Sequence, residues 1–343
     1  MKDLLEKLSN APGISGHEGI VRDMILEEIK PYIDTHEIDN MGNLITCKYA
    51  GQPNIMLAAH MDEIGLIVKY IDDQGFIYFS PVGGWFDQTL LHQRMVIHTK
   101  LGEHYGINGS KPPHVMKAVE YDKVIKKDKM FIDIGADSKS DAIKMGIEIG
   151  NQIVPDAKFF TLNKSKVAGK ALDNRAGCTM LIEIMKNLES DATVYAVFTT
   201  QEEVGLKGAR TSAFKINPDF SFATDVTICG DHPGISKRES DISMGKGPAI
   251  TMSDASGRGI IVPEIILNKI KKIEDEYNIP VQYEVSDGGT TDGTAIHLTR
   301  EGIPTGVISI PCRYIHTPYS IIDMNDLENS VRLMKRILEK WCV

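Results

Sequence analysis

The chain has 343 residues, 42% of them hydrophobic and 25% charged, with a formal net charge of −9 at pH 7. That length buries a full core and leaves room for two domains, and the composition is that of a globular protein. The acidic balance argues against nucleic-acid binding, and no uninterrupted apolar segment approaches the ~20 residues of a membrane-spanning helix.

Five cysteines (Cys47, Cys178, Cys229, Cys312, Cys342) are odd in number and widely spaced. With no Cys-x-x-Cys pair they suggest neither a disulfide framework nor a zinc ribbon, but small buried thiols in a reducing compartment. The opening Met1-Lys2-Asp3-Leu4-Leu5-Glu6-Lys7 carries acids where a signal peptide needs an apolar run, so a cytoplasmic location is expected.

Residues 3–10 predict a short helix ended by Asn10-Ala11-Pro12-Gly13, and 18–29 a second, with Ile20, Val21, Met24, Ile25 and Ile29 on one face. Strand-like runs at 32–38 and 43–49 follow. Asn54 to Ala59 is nearly all apolar, as suits a central strand covered on both faces, and it gives way abruptly to His60-Met61-Asp62-Glu63-Ile64-Gly65. From 66 to about 160 the pattern becomes short β-like runs at 67–71, 76–79, 95–99 and 130–134, separated by Gly and Pro clusters. One short helix, 138–145 with Ser138 as cap, interrupts them. This predicts a small β-rich domain, 66–164, inserted into a host formed by 1–65 and 165–343.

After Val167 strands and helices alternate. Helices are predicted at 174–188, 263–277, 294–301 and 327–341, and strands at 193–198, 220–224, 281–285 and 305–310. Gly205-Leu206-Lys207-Gly208 reads as a loop. The host should therefore be α/β, a mixed and mostly parallel sheet flanked by helices, with no internal repeat.

In open α/β sheets functional groups collect beyond the carboxyl ends of strands. Metal-competent residues stand at five such places: His60 with Asp62, Asp173, Glu202 with Glu203, Asp225, and His316. Each alone has an ordinary explanation. A lone His is commonly a hydrogen-bonded structural residue, Asp173 could cap the helix after it, and Glu202-Glu203 could be a solvated loop. The other eight histidines keep the ordinary reading. Together, two imidazoles and several carboxylates make a nitrogen and oxygen site suited to zinc, cobalt or manganese. There are more acids than one tetrahedral zinc needs, which suggests two ions sharing a carboxylate, with one of the paired glutamates a ligand and the other a base.

Ala58-Ala59-His60-Met61-Asp62-Glu63-Ile64-Gly65, Ala171-Leu172-Asp173-Asn174-Arg175-Ala176-Gly177, Thr200-Gln201-Glu202-Glu203-Val204-Gly205, Ala223-Thr224-Asp225 and Arg313-Tyr314-Ile315-His316-Thr317-Pro318 resemble, in order, the motifs of the tetrahedral (TET) metalloaminopeptidases. Members of that family are also called glutamyl aminopeptidase or endoglucanase-M-like, and the resemblance covers essentially the whole chain. It implies an aminopeptidase that removes N-terminal residues from peptides with two divalent ions, zinc or cobalt foremost and manganese next. Asp173 would bridge them, His60 and Asp225 complete one, and Glu203 and His316 the other. Glu202 would be the general base that activates a metal-bridging water, and Asp62 would orient the His60 ring.

The resemblance also implies dimerisation through the inserted domain and assembly of dimers into a hollow dodecamer. This chain departs from the family in having Asn174 where a second Asp is usual, and Thr317-Pro318-Tyr319-Ser320 where Ser-Pro-x-Glu is common. The residue preference at the peptide N-terminus is not fixed by the motifs; the loop 287–293, whose glycines allow close backbone approach, is a candidate wall of that pocket or a plain connection. The competing readings are an endoglucanase-type glycoside hydrolase, which needs two carboxylates and no metal, and a non-catalytic assembly protein.

Overall fold

The apolar run 54–59 forms the inner part of strand Gly51–His60 in a computed structural model that describes residues 1–342. Ala192–Thr199 lies parallel on one side of it and Phe220–Ile228 on the other, and Thr305–Arg313 lies parallel beyond Phe220–Ile228. These four strands are buried along most of their length, which is why they read as apolar runs rather than alternating ones. The flanks are antiparallel. Leu44–Lys48 and then Thr35–Ile38 extend one edge, and Ser320–Asp323, Lys166–Gly169 and Phe160–Asn163 the other. Parallel pairing is thus confined to the centre and to Ala249–Ser253 with Gln282–Val285. That offshoot joins Thr305–Arg313 where Ala249 pairs with Ser309 and Ile250 with Ile308.

Successive side chains of Gly51–His60 divide between two helical layers. Ile55, Leu57 and Ala59 join the core under the helices Lys2–Asn10, Gly19–Ile29, Leu172–Asn187, Glu264–Tyr277 and Met324–Glu339. Met56 and Ala58 point the other way, to Ala209, Ala213, Ala295 and Ile296 on the helices Lys207–Ile216 and Asp292–Ile296. His60 continues that second alternation, so the period of the strand sets which way the first imidazole faces.

The insert is a closed six-stranded antiparallel barrel, in the order Gly65–Ile71, Ile77–Val82, Phe131–Asp133, Gly102–Gly109, Arg94–Thr99 and Gln152–Pro155. Leu66, Val68, Ile97, Ile132 and Ile153 fill it, and closure leaves it without free strand edges. Phe160–Asn163, assigned to the insert from the sequence, pairs instead with Lys166–Gly169 in the large sheet.

Three further differences have local causes. Lys207–Ile216 is a helix entered directly from Gly205 (φ +119) and Leu206 (φ +56); its inward residues, Gly208, Ala209, Ser212 and Ala213, are too small to register as an apolar stripe. The last helix starts at Met324, ahead of the predicted 327, because Asp323 accepts a hydrogen bond from the Asn325 N–H as its cap. The helix expected at 294–301 runs Asp292–Ile296, capped by Thr291 accepting from the Gly293 N–H.

Candidate active site

The four central strands end on one side of the sheet, and the predicted residues meet there. His60 ends its strand, Glu202 and Glu203 follow Ala192–Thr199, and His316 follows Thr305–Arg313. Asp225 is not at a strand end: the strand runs on to Ile228 in register with Cys312. Asp173 sits at an irregular helix entry, where its own backbone (φ −80, ψ 103) and that of Asn174 (φ −123, ψ 42) are not yet helical. It is not the helix cap. Asn174 fills that role, accepting from the Gly177 N–H at 2.9 Å, while its amide donates to the Thr224 carbonyl at 2.7 Å. An Asp at 174 could accept but not donate, so this departure from the family pattern ties the helix carrying Asp173 to the strand carrying Asp225.

The two oxygens of Asp173 face different imidazoles: Oδ1 lies 3.1 Å from His60 Nε2, and Oδ2 lies 3.3 Å from His316 Nε2. His60 Nε2 is also 3.7 Å from Asp225 Oδ1 and 3.9 Å from Glu202 Oε2, and His316 Nε2 is 3.4 Å from Glu203 Oε1. One ligand atom each from His60, Glu202 and Asp225, and likewise from His60, Asp173 and Glu203, lies within 4.8 Å of the others. Four carboxylates against two imidazoles leave an excess of buried negative charge, and this donor set fits divalent cations.

Asp62 contributes differently from the simple expectation. Its backbone carbonyl is the nearer partner of His60 Nδ1, at 3.0 Å, and its carboxylate lies 3.6 Å away. That places the proton on Nδ1 and leaves Nε2 toward the carboxylates. The Asp62 carboxylate itself accepts from the N–H groups of Glu202 and Glu203 at 3.0 and 3.1 Å, and from the Ser15 hydroxyl at 2.6 Å. Glu202-Glu203 is therefore no solvated loop. Its turn, with Gln201 at φ +55, aims two backbone donors at one buried anion.

Burial drives the Glu202 carboxyl well above the usual range, and repulsion from Asp225, Asp292 and Glu203 adds to this against the pull of His60. Asp225 and Glu203 are raised, again chiefly by burial. Burial opposes charge on His316, but Asp173 and Glu203 push it up to about 11. Asp173 resists burial through its contacts with His316 and His60, which hold it well below the usual carboxylate range. Such opposed shifts among groups in one cleft are the pattern expected of a functional site.

The cluster opens into a cavity of about 1050 Å³. Gly288, Gly289, Thr290 and Thr291 of the candidate loop line it, as do Gly84 beside the barrel, Thr227, Thr251 and Glu284 from the sheet, and Asp254 just past the strand Ala249–Ser253. None of this second group carried a sequence signal. A Cβ on Gly84 would lie 2.9 Å from His316 Nδ1, and one on Gly83 would lie 3.2 Å from Glu203 Oε2. The Gly83-Gly84 pair, one of the Gly and Pro clusters that separate the β-like runs in the sequence, is thus where the barrel's backbone approaches both residues. At the other departure, the Thr317 hydroxyl lies 2.8 Å from the Tyr314 carbonyl and 2.7 Å from the Tyr319 carbonyl, donating its one proton between them and closing the turn that presents His316.

The M42 glutamyl aminopeptidase family matches residues 42–333. The chain belongs to that family. A putative aminopeptidase of Acetivibrio thermocellus is 42% identical over 97% of this chain and 97% of its own length. A lysyl aminopeptidase of Pyrococcus furiosus is 35% identical over 98% and 96%. Among solved structures, a TET aminopeptidase of Thaumarchaeota archaeon SCGC AB-539-E09 superposes with a TM-score of 0.95 at 37% identity, covering 99% and 96% of the two chains. The Pyrococcus horikoshii TET1 peptidase, described as assembling into a tetrahedron or a large octahedral shell, gives 0.89 at 35% identity over 99% of each chain. A Thermotoga maritima protein named endoglucanase has the same fold, with a TM-score of 0.80 at 32% identity over 98% and 97%. This M42 chain is thus a peptide hydrolase of the aminopeptidase type.

Proposed function

We propose that the protein removes N-terminal residues from peptides with two divalent ions, zinc or cobalt foremost and manganese next. Asp173 would bridge the ions, with His60 and Asp225 on one and Glu203 and His316 on the other. The observation that carries this reading is the Asp173 carboxylate, which turns one oxygen to each imidazole. When bound, the ions would supply Lewis-acid polarisation of the scissile carbonyl and an anchor for the free α-amine. Glu202, 9% exposed and held by its own N–H on Asp62, takes the proton of the attacking water. As the C–N bond breaks it passes that proton to the departing amine nitrogen. Asp62 keeps the His60 ring and the Glu202-Glu203 turn in register.

Glu202→Gln in metal-loaded protein is expected to lower kcat by about 10²–10⁴-fold with metal content unchanged by elemental analysis. Near-normal turnover, or loss of metal, would remove Glu202 from the role of base. The endoglucanase-type glycoside hydrolase expected as the alternative is set aside: the chain belongs to the M42 aminopeptidase family, and the Thermotoga maritima protein named endoglucanase shares that fold. We further propose a cytoplasmic enzyme without nucleic-acid or membrane partners. The inserted barrel, whose last strand is Gln152–Pro155, would mediate dimerisation, and dimers would build a dodecamer.

A further inference from the structure

Thr227 lies two residues beyond Asp225 on the same strand, so both side chains share one face, roughly 7 Å apart along it. The Thr227 hydroxyl donates to Glu284 Oε2 at 2.8 Å, and Thr251 donates to Glu284 Oε1 at 2.9 Å. These neutral donors fix the Glu284 carboxylate in the cavity beside the histidine and carboxylate cluster. Among the described residues no Lys or Arg forms an ion pair with it. Asp254 lines the same cavity, is 5% exposed, and its Oδ2 has no hydrogen-bond partner among the described residues. Burial raises the Glu284 carboxyl, with Asp254 adding repulsion against the two threonine hydrogen bonds. Two carboxyl groups therefore share a cavity wall with no Lys or Arg ion pair to either among the described residues; the His297 imidazole acts on Asp254 alone, as a weaker counter-charge than its burial. Lys237 and Arg238 also line the cavity, but both are exposed, and Lys237 faces Asp241 at 4.0 Å. Solvated, flexible cations of this kind counter a buried carboxylate weakly.

We infer that Glu284, backed by Asp254, forms the subsite for the N-terminal side chain and selects a basic one, lysine or arginine. The inference rests on the aminopeptidase reading above. With the peptide's α-amine at the cluster, the four-carbon stem of lysine spans the step from Asp225 past Thr227 to Glu284. The apolar walls, Ile228 and Val285, cover the stem, and the carboxylates meet its ammonium. An acidic side chain would add a third negative charge and is disfavoured.

The test compares kcat/KM for the amides of lysine, arginine, norleucine and glutamate. Lysine and norleucine share the four-carbon stem and differ in the terminal charge. Wild type is expected to prefer lysine over norleucine by at least about tenfold. Glu284→Gln should bring that ratio near one, and Glu284→Lys should move the preference toward glutamate. Glu284→Ala serves as a second neutral variant if Glu284→Gln does not fold. A wild-type lysine to norleucine ratio near one or below overturns the inference, as does a ratio unchanged in both neutral variants. In either case hydrolysis of norleucinamide leaves the aminopeptidase reading standing. Failure of wild type to cleave any of the four amides takes both down.

Discussion

The Asp62 carboxylate gathers donors from two distant segments, the Ser15 loop and the Glu202-Glu203 turn, while its carbonyl holds His60. An amide at 62 keeps one acceptor oxygen but turns an NH₂ toward at least one of those donors. Asp62→Asn is expected to lower kcat/KM by about 10–100-fold, with a smaller loss of metal affinity than a ligand substitution causes; activity together with a metal titration checks it. Unchanged kinetics would reduce Asp62 to a packing residue. The motif around His60 made Asp62 conspicuous in the sequence, but not its service to the glutamate turn, because those contacts span 140 and 141 residues. Glu284 was silent for the same reason: its two threonine partners lie 57 and 33 residues away, and its own strand is short and half exposed.

Among elements, the entry to helix Leu172–Asn187 concentrates charge beneath the site. The Lys170 ammonium reaches Glu63 Oε1 at 2.7 Å and the Ala11 carbonyl at 2.9 Å. The fully buried Arg175 guanidinium donates to the carbonyls of Met61, Leu8, Ala11 and Gly13, pinning the first helix and the strand end to this turn. Lys170→Met would leave Glu63 buried beside Arg175 alone, at 3.6 Å, and is expected to cost about 3–5 kcal/mol in urea unfolding.

Burial lowers Lys170 to about 8, against the pull of Glu63, whereas an unfolded lysine titrates near ~10.4. Between those values the unfolded chain binds the extra proton, so the burial penalty is fully present below pH 8 and fades as the pH rises toward 10. Wild type should gain stability across that window relative to a Lys170→Met, Glu63→Gln double variant; a flat difference would contradict it. At this scale the sequence was most legible where apolar residues dominate, as continuous runs in the doubly covered central strands and as one face of the last helix. It was least legible where small residues do the packing, as in Lys207–Ile216.

For the whole molecule, the insert exposes Leu101, Tyr105, Ile107, Val115, Val119 and Tyr121, apolar side chains that association of the insert would cover. Assembly through this domain should give a particle of about 456 kDa, twelve times the 38.0 kDa chain, by light scattering. A single 38.0 kDa species would sink the assembly proposal. Composition predicted the insert's β character, but its closure into a barrel depends on pairing Gly65–Ile71 with Gln152–Pro155, a contact no local pattern announces.

The position of Gly83-Gly84 has a consequence for how the chain can be altered. The barrel is spliced between His60 and Asp173, and its glycine corner fits against His316 and Glu203 with no room for a methyl group at 84. The insert is therefore not an exchangeable cassette. A graft from another scaffold that preserved the splice points but not this bare stretch of backbone would restore the outline of the protein and still leave a gap, or a clash, against His316 and Glu203.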